Sequence, residues 1–425
     1  MIKIPRIAWV IAFLLFAATL INYADRSAIG VVSVEIRKEF TLDDQDYGFI
    51  VAAFMFAYAI GYSLSGYFID RLGTRRGFAI FISGWSIAQL LHAFAVGKWS
   101  LTGFRFLLGL FEPGNFPAAA KAVAEWFPAT RRAFAVGIFN AGSTMGSMIA
   151  PPLVAYLTYL YGWRGAFIAT GSLGFIWLIG WLLLYQPPHK NRWVSKQEYE
   201  ELKPHVRPPE EAVAASAGRV SWRHVISLRG CYTLIFVRFF TDPVIYFIVF
   251  WMPAYLRKER GFDLAMVGKY AWIPYVFGDI GYLLGGWLSG KLMERGYSMA
   301  KARKTLLLMG ASVMPIGILA PMVPSGEMAI AVTCFVTFGH ALWISNLLTI
   351  PTDIFKGNEV GTATGFSGAG GALGGVVANL GTGYLVQHFS YSPVFWIAGL
   401  MHPMSYLILR TLLKDRYFNE DRAIH

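Results

Sequence analysis

The sequence predicts an all-α membrane protein whose twelve transmembrane helices form two pseudo-symmetric six-helix bundles. Of the 425 residues, 56% are apolar and only 15% are charged, whereas soluble globular proteins carry about 25% charged residues. Apolar stretches recur along the chain, each long enough to cross a ~30 Å hydrocarbon core as a helix of ~20 residues. A charged loop also repeats about half a chain length later. These observations exclude a soluble enzyme, a nucleic-acid-binding protein and a disordered scaffold.

The spans are delimited by hydropathy, with breaks at charged clusters and at Pro/Gly clusters. The predicted spans are residues 7–33, 47–70, 77–97, 100–124, 133–160, 166–186, 230–256, 265–291, 304–323, 328–354, 360–386 and 391–413. Between the sixth and the seventh lies 186–228, the longest polar stretch, which contains five prolines. We therefore expect an N-terminal bundle over 1–186, a cytoplasmic linker over 187–229 and a C-terminal bundle over 230–425.

The loops predict the orientation of the chain. The net charge is +12, and Lys and Arg cluster after the second, fourth and eighth spans, whereas the loop after the first span is acidic. Because bacterial membrane proteins concentrate Lys and Arg in cytoplasmic loops, we expect both termini and the linker in the cytoplasm of a multi-pass inner-membrane protein. This asymmetry explains the positive charge without a nucleic-acid partner.

The second span runs into GYFIDRLGTRR at 66–76, and the eighth runs into GWLSGKLMERG at 286–296, an offset of 220 residues. Two homologous bundles that face a site at the bilayer midplane are typical of alternating-access transporters. We expect four residues of the first loop to gate the cytoplasmic side: Asp70, Arg71, Arg75 and Arg76. The alternative is that they only supply the positive charge of a cytoplasmic loop.

Ionisable side chains inside the spans are the first functional candidates, because each costs about 2.5–3.5 kcal/mol at the centre of a membrane helix. Asp25 and Arg26 lie in the first span, and Arg105 and Glu112 lie two helical turns apart in the fourth. Pro113 weakens the helix directly after Glu112. The structural alternatives are an ion pair between helices for Arg26 and a helix–helix contact for Arg105.

Other polar residues are weaker candidates. Arg238 and Asp242 form an (i, i+4) pair that neutralises itself, unless Arg238 supplies positive potential to a cavity. Asp279 is a further acid at membrane depth, and His340 either titrates or joins two helices by a hydrogen bond. Amide, hydroxyl and aromatic side chains inside the spans can bind a polar ligand, and the candidates are Tyr23, Tyr58, Asn115, Ser143, Trp343 and Ser367.

The loop at 66–76 resembles the signature of the major facilitator superfamily. NYADR at 22–26 and RFLLGLFEPGNFPA at 105–118 resemble its anion:cation symporter family, which includes proton-coupled importers of D-galactonate and hexuronates. The resemblance implies that Arg26 binds the substrate carboxylate and that Asp25 and Glu112 couple protons to transport. Segments of the seventh and eighth spans look most like the hexuronate branch. Ser143, where galactonate-type members carry glutamine, argues against galactonate itself.

We therefore expect a proton-coupled importer of a sugar acid, a hexuronate such as glucuronate or galacturonate. The alternatives are another organic anion (an aldonate, an aldarate or a tartrate-like acid), coupling to sodium, or a drug or metabolite exporter on the same fold. Neither a catalytic set nor metal-ligand spacing is present in the sequence, so we expect no enzyme activity, no metal and no other cofactor. The expected partners are the anion, protons and membrane lipid, around a monomer.

Overall fold

The computed structural model describes residues 4–206, 222–355 and 359–418, without the side chains of 70, 129–134, 205, 352, 361 and 416. The first half consists of α1 (Arg6–Val31), α2 (Ser33–Phe40), α3 (Asp44–Leu72), α4 (Thr74–Leu91), α5 (Lys98–Phe111), α6 (Asn115–Trp126) and α7 (Ala129–Leu184). α7 contains the predicted fifth and sixth spans, which meet at Gly162, where φ is +70°. A positive φ of this kind favours glycine, which lacks a Cβ atom.

The linker carries the short helices α8 (Lys196–Leu202) and α9 (Trp222–Ser227). The second half consists of α10 (Arg229–Phe250), α11 (Met252–Glu259), α12 (Leu264–Tyr270), α13 (Ile273–Glu294), α14 (Met299–Val313), α15 (Gly326–Leu347), α16 (Ile350–Ile354), α17 (Val360–His388) and α18 (Ser392–Leu412). Asp263, Ser298 and Ser325 each cap the helix that follows, because the side-chain oxygen accepts a hydrogen bond from a free backbone N–H.

Twelve spans follow from these helices, which confirms the predicted fold class. They are α1, α3, α4, the broken pair α5–α6, the two arms of α7, α10, α13, α14, α15, α17 and α18. Within the described ranges, eight helices are by themselves long and apolar enough to cross a membrane. The count is lower than twelve partly because α7 holds two spans and because the fourth span is divided.

The two halves approach each other closely at one end of the molecule. We call it the acidic-loop end, where α1 ends and α3 begins; the opposite end, next to the linker, is the linker end. A Cβ atom on Gly48 of α3 would lie 2.6 Å from the carbonyl oxygen of Asn379 on α17, and one on Gly383 would lie 2.7 Å from that of Asp44. At the other end of α3, Gly66 has no such neighbour within 4 Å. Among the described residues, the halves are therefore in contact at the acidic-loop end and separated around Gly66 at the linker end.

Polar contacts between the halves hold the acidic-loop end closed. The Tyr47 hydroxyl donates a hydrogen bond to the carbonyl oxygen of Phe250, 2.7 Å away. The Lys258 ammonium donates to a carboxylate oxygen of Asp44 at 3.0 Å. Burial, together with the nearby Arg37 guanidinium, lowers the pKa of Lys258. We refer to this set of contacts as the acidic-loop gate.

Candidate functional site

A cavity of about 790 Å³ lies between the two halves and extends from mid-membrane towards the linker end. Its size is in the range of small-molecule sites, which hold about 300–1,000 Å³. Both halves contribute side chains that can bind a ligand. The polar and aromatic residues of its wall include Tyr23, Arg26, Tyr58, Tyr62, Asn140, Ser143, Arg238, Asp242, Tyr246, Asp279, Tyr282 and His340.

Arg26 lies on the wall of this cavity and is only 6% exposed. Its Nε donates a hydrogen bond to Oε2 of Glu112 at 2.9 Å. The rings of Tyr23 and Tyr58 flank the guanidinium, with each centroid 4.6 Å from Cζ. Nη2 is buried and has no hydrogen-bond partner among the described residues. The guanidinium is therefore fixed on one edge by Glu112 and lies between two tyrosine rings on the cavity wall.

Glu112 lies at the break in the fourth span. A 3₁₀ turn, Glu112–Gly114, separates α5 from α6, because the proline at 113 cannot donate the next helical hydrogen bond. The Asn22 side chain donates to the carbonyl oxygen of Glu112 at 3.3 Å. The carboxylate is fully buried, and its Oε1 has no hydrogen-bond partner in the described part of the chain. The sequence predicted this weakened helix, and the break places the carboxylate against Arg26.

Asp25 and Arg105 are fully buried behind this pair and do not line the cavity. Both Asp25 oxygens and all three Arg105 nitrogens lack hydrogen-bond partners among the described residues. Arg105 and Arg26 share the ring of Phe54, whose centroid lies 5.6 Å and 5.8 Å from the respective Cζ atoms. Two acids and two arginines thus carry no net charge when all are ionised. One added proton would make the cluster positive.

The second half contributes another arginine to the cavity wall. Nε and Nη2 of Arg238 both donate to Oδ2 of Asp242, at 2.9 and 2.7 Å. This ion pair fits the expectation that Arg238 and Asp242 neutralise each other. Both residues also line the cavity, so a contribution of Arg238 to the potential in the cavity stays open. A Cβ atom on Gly368 would lie 3.3 Å from both Arg238 and Tyr62. The missing side chain at Gly368 of α17 therefore leaves room for both Arg238 and Tyr62.

His340 faces the cavity and forms a hydrogen bond with a second histidine. Its Nδ1 lies 3.1 Å from Nε2 of His402, which joins α15 to α18. This geometry fits the interhelical interpretation of His340. Asp279 also lines the cavity. No group of three or more potential metal ligands occurs in the described ranges.

Four of the eight predicted substrate-binding residues share the cavity wall: Arg26, Tyr23, Tyr58 and Ser143. They come from α1, α3 and α7, so the fold brings together residues that lie far apart in sequence. Ser143 is half-buried on the cavity wall, and its hydroxyl donates to the carbonyl oxygen of Asn140 at 2.7 Å. The substrate contacts of these four stay a prediction.

The other four predicted substrate contacts do not line this cavity in the conformation described here, and their role in binding stays a prediction. Arg105 and Trp343 are fully buried inside the bundles. Asn115 donates to Oγ1 of Thr19 at 3.0 Å, and Ser367 donates to a carbonyl oxygen of its own helix. Each faces neighbouring helices, because the packing partners, and not the residue type, decide which helix face meets the cavity.

Among the described side chains of the predicted gating loop, no hydrogen bond or ion pair reaches the second half in this conformation. The Asp70 side chain lies outside the described residues. Arg71 and Arg76 are exposed, and Arg75 donates to the carbonyl oxygen of Leu182 in its own half at 2.5 Å. A gate that closes the linker end would be open here, in line with the separated halves. The gating role stays a prediction.

Tyr62 and Tyr282 are among the tyrosines of the wall that were not singled out from the sequence. Tyr62 lies four residues after Tyr58, and Tyr282 lies three residues after Asp279. Residues at these spacings share a helix face. The same spacing rule, applied outward from each candidate, would have identified both residues.

The sequence profile described as Major Facilitator Superfamily matches residues 15–300 and 296–424. The hexuronate transporter of Escherichia coli (strain K12) is 31% identical over 419 residues, which cover 97% of this chain and 96% of the relative. The D-galactonate transporter of Escherichia coli O6:H1 is 29% identical, with 93% of this chain and 94% of the relative covered. A probable galactarate/D-glucarate transporter of Escherichia coli (strain K12) is 30% identical, with coverage of 94% and 92%.

The fold is also similar to solved structures. The inward open conformation of the xylose transporter from E. coli superposes with a TM-score of 0.74 at 17% identity, and 98% of each chain is covered. At this identity the likeness concerns the fold alone.

Proposed function

The chain belongs to the Major Facilitator Superfamily, and we propose that it is a proton-coupled importer of a sugar acid, a hexuronate such as glucuronate or galacturonate. Family and relatives make it a transporter and not an enzyme. Relatives named for hexuronate, D-galactonate and galactarate or glucarate share a substrate class of hydroxylated carboxylates. That shared chemistry supports the choice of substrate class.

One observation supports the proposal above all others: Arg26 lies on the cavity wall between two tyrosine rings and is paired with the buried Glu112. An arginine binds a carboxylate through parallel N–H donors. The rings of Tyr23 and Tyr58 offer flat faces to a sugar, and their hydroxyls offer hydrogen bonds to its own hydroxyls. A neutral sugar would not need the arginine.

Charge balance supports coupling to protons. Ionised Glu112 competes with a substrate carboxylate for Arg26, and the neighbouring acid and arginine, Asp25 and Arg105, cancel each other. A proton on Glu112 or Asp25 removes a negative charge from this cluster and so favours the anion. By linkage, the bound anion then favours the proton by the same factor. Release of the proton on the far side weakens the site and lets the substrate leave.

The proposed orientation places the linker end in the cytoplasm of a bacterial inner membrane, with the protein as a monomer. The conformation described here is then inward-facing, with the acidic-loop gate shut. An inside-negative potential opposes a monoanion by about 2.3 kcal/mol per 100 mV. One co-transported proton cancels this term, and a second would make import voltage-driven. Asp70, Arg71, Arg75 and Arg76 would close the linker end in the outward-facing state.

A second candidate is import of an aldarate, a sugar acid with a carboxylate at each end. Its support is the placement of Arg238, a second arginine that faces the cavity from the other half. A diacid could engage Arg26 with one end and Arg238 with the other once Asp242 releases it. A hexuronate has only one carboxylate and would leave the Arg238–Asp242 pair intact.

The test is uptake into proteoliposomes with an imposed pH gradient, with glucuronate, galacturonate, galactonate, glucarate and xylose as substrates. We expect acid-driven accumulation of a hexuronate, none of xylose, and no additional effect of a sodium gradient. Arg238→Gln separates the two candidates, because it should spare hexuronate uptake and abolish glucarate uptake. Accumulation of xylose but of no acid would contradict the proposal, and a requirement for sodium would contradict proton coupling.

A further inference from the structure

A second cavity, of about 500 Å³, lies at the linker end of the second half between α14 and the end of α18. Lys301 and Lys304 come from α14, Arg410 comes from α18, and Lys414 follows it. Among the described residues that line this wall, Asp415 is the single acid. This cavity, which we call the basic pocket, is separate from the central cavity and shares no lining residue with it.

Three cations of the basic pocket remain unpaired. Lys304 is held internally, because its ammonium donates to the carbonyl oxygen of Leu413 and pairs with Asp415. Lys301, Arg410 and Lys414 have no ion-pair partner in the described part of the chain. Lys301 lies instead over the ring of Tyr297, 4.5 Å from its centroid. Three like charges around one void repel one another, and an anion in the void would relieve that repulsion.

Exposed apolar side chains continue from the basic pocket towards the membrane centre. Leu308, on the pocket wall, is 45% exposed and lies seven residues, or about 10 Å, along α14 from Lys301. On α18, Leu407 is 60% exposed and lies one turn from Arg410. A charged recess above an exposed apolar surface matches the two parts of a phospholipid. A soluble anion would use only the first part.

We propose that the basic pocket binds the headgroup of an anionic phospholipid, with the phosphodiester between the unpaired cations and an acyl chain along Leu308. Basic pockets between helices on the cytoplasmic side of a membrane suit such headgroups. The proposal rests on the orientation given above and not on the identity of the transported substrate. Transport and lipid binding can therefore fail independently.

The test is a native mass spectrometry titration of the full-length protein in detergent. The probes are dioleoylphosphatidylglycerol, dioleoylphosphatidylcholine and glycerol 3-phosphate. We expect the anionic lipid to bind at least about tenfold more tightly than the zwitterionic one. Each Lys or Arg near an anionic lipid strengthens binding about fivefold. The triple variant Lys301→Gln, Arg410→Gln, Lys414→Gln should therefore bind the anionic lipid about 100-fold more weakly.

Two matched triple variants serve as controls. The first control changes the net charge by the same amount at three exposed cations of the linker and should leave lipid binding unchanged. It is the triple variant Lys190→Gln, Arg192→Gln, Lys196→Gln. A charge-conserving triple variant exchanges Lys for Arg, and Arg for Lys, at the three pocket positions and should also retain binding. Undiminished binding in the pocket Gln variant, or an equal loss in the linker variant, would overturn the proposal. Equal affinity for glycerol 3-phosphate would show a site for a soluble phosphate and refute the lipid.

Discussion

Replacing Glu112 with glutamine changes the charge of the Arg26 contact while nearly preserving its shape. In the wild-type protein, Arg26 on the cavity wall and the fully buried Glu112 interact at 2.9 Å. Their charge centres lie about 4 Å apart, where two unit charges attract by about 4 kcal/mol at an effective dielectric constant of 20. The glutamine oxygen still accepts a hydrogen bond from Arg26, which restores about 2 kcal/mol.

Arg26 is therefore held about 2 kcal/mol less strongly by the glutamine than by the ionised glutamate. The substrate carboxylate no longer has to overcome this part of the attraction, which corresponds to about 30-fold in affinity. At pH 9, where we expect ionised Glu112 to compete for Arg26, Glu112→Gln should bind the substrate about 30-fold more tightly than the wild type. At pH 5 the two affinities should converge, because a protonated Glu112 and a glutamine carry the same charge.

The assay is equilibrium binding of the sugar acid between pH 5 and pH 9, together with uptake and exchange in proteoliposomes. The variant should show a flat affinity profile, lose gradient-driven accumulation and keep exchange. The matched control is Glu125→Gln, which neutralises a buried acid at the linker end that Thr74 contacts at 2.6 Å. The control should keep the wild-type profile. If the substrate affinity of Glu112→Gln changed with pH as much as that of the wild type, the reasoning would be refuted.

Three further substitutions test the binding site and the acidic-loop gate. Arg26→Ala should weaken substrate binding at least about 100-fold, because a buried charge-assisted contact is worth about 3 kcal/mol; unchanged affinity in a calorimetric titration would exclude Arg26 from the site. Tyr47→Phe removes the 2.7 Å hydrogen bond to Phe250 and should shift the population about fivefold towards opening at that end. Spin-label distances between the halves measure this shift, and an unaltered distribution would contradict it. Gly48→Val would place a side chain against the carbonyl oxygen of Asn379, which lies 2.6 Å from the Cβ position. This clash should prevent the acidic-loop end from closing, so uptake should be abolished and the spin labels on the two halves should stay far apart. Normal uptake would contradict this prediction.

The fold and the charged cluster could be predicted from the sequence because both follow from the cost of polarity in lipid. Long apolar runs mark the spans, and the few charges retained inside them mark the cluster. Pro113 marked the break that brings Glu112 to Arg26. These features depend on a residue and its immediate neighbours.

The orientation of individual side chains could not be predicted in the same way. Adjacent residues of a helix point about 100° apart, so Asp25 turns away from the cavity while Arg26 faces it. Asn115 and Trp343 face other helices, and only the packing of those helices determines this. The conformation is also not readable from the sequence, because the same chain must form both the inward-facing and the outward-facing state.

The most direct measurement of proton coupling is the number of protons taken up when the substrate binds. The purified protein is mixed with the sugar acid in weakly buffered solution at pH 8, and a pH indicator records the change. The account predicts uptake of about one proton per substrate by the wild type and none by Glu112→Gln, by the linkage of proton and substrate binding. No uptake by either protein would contradict proton coupling, and equal uptake by both would contradict Glu112 as the group that takes up the proton.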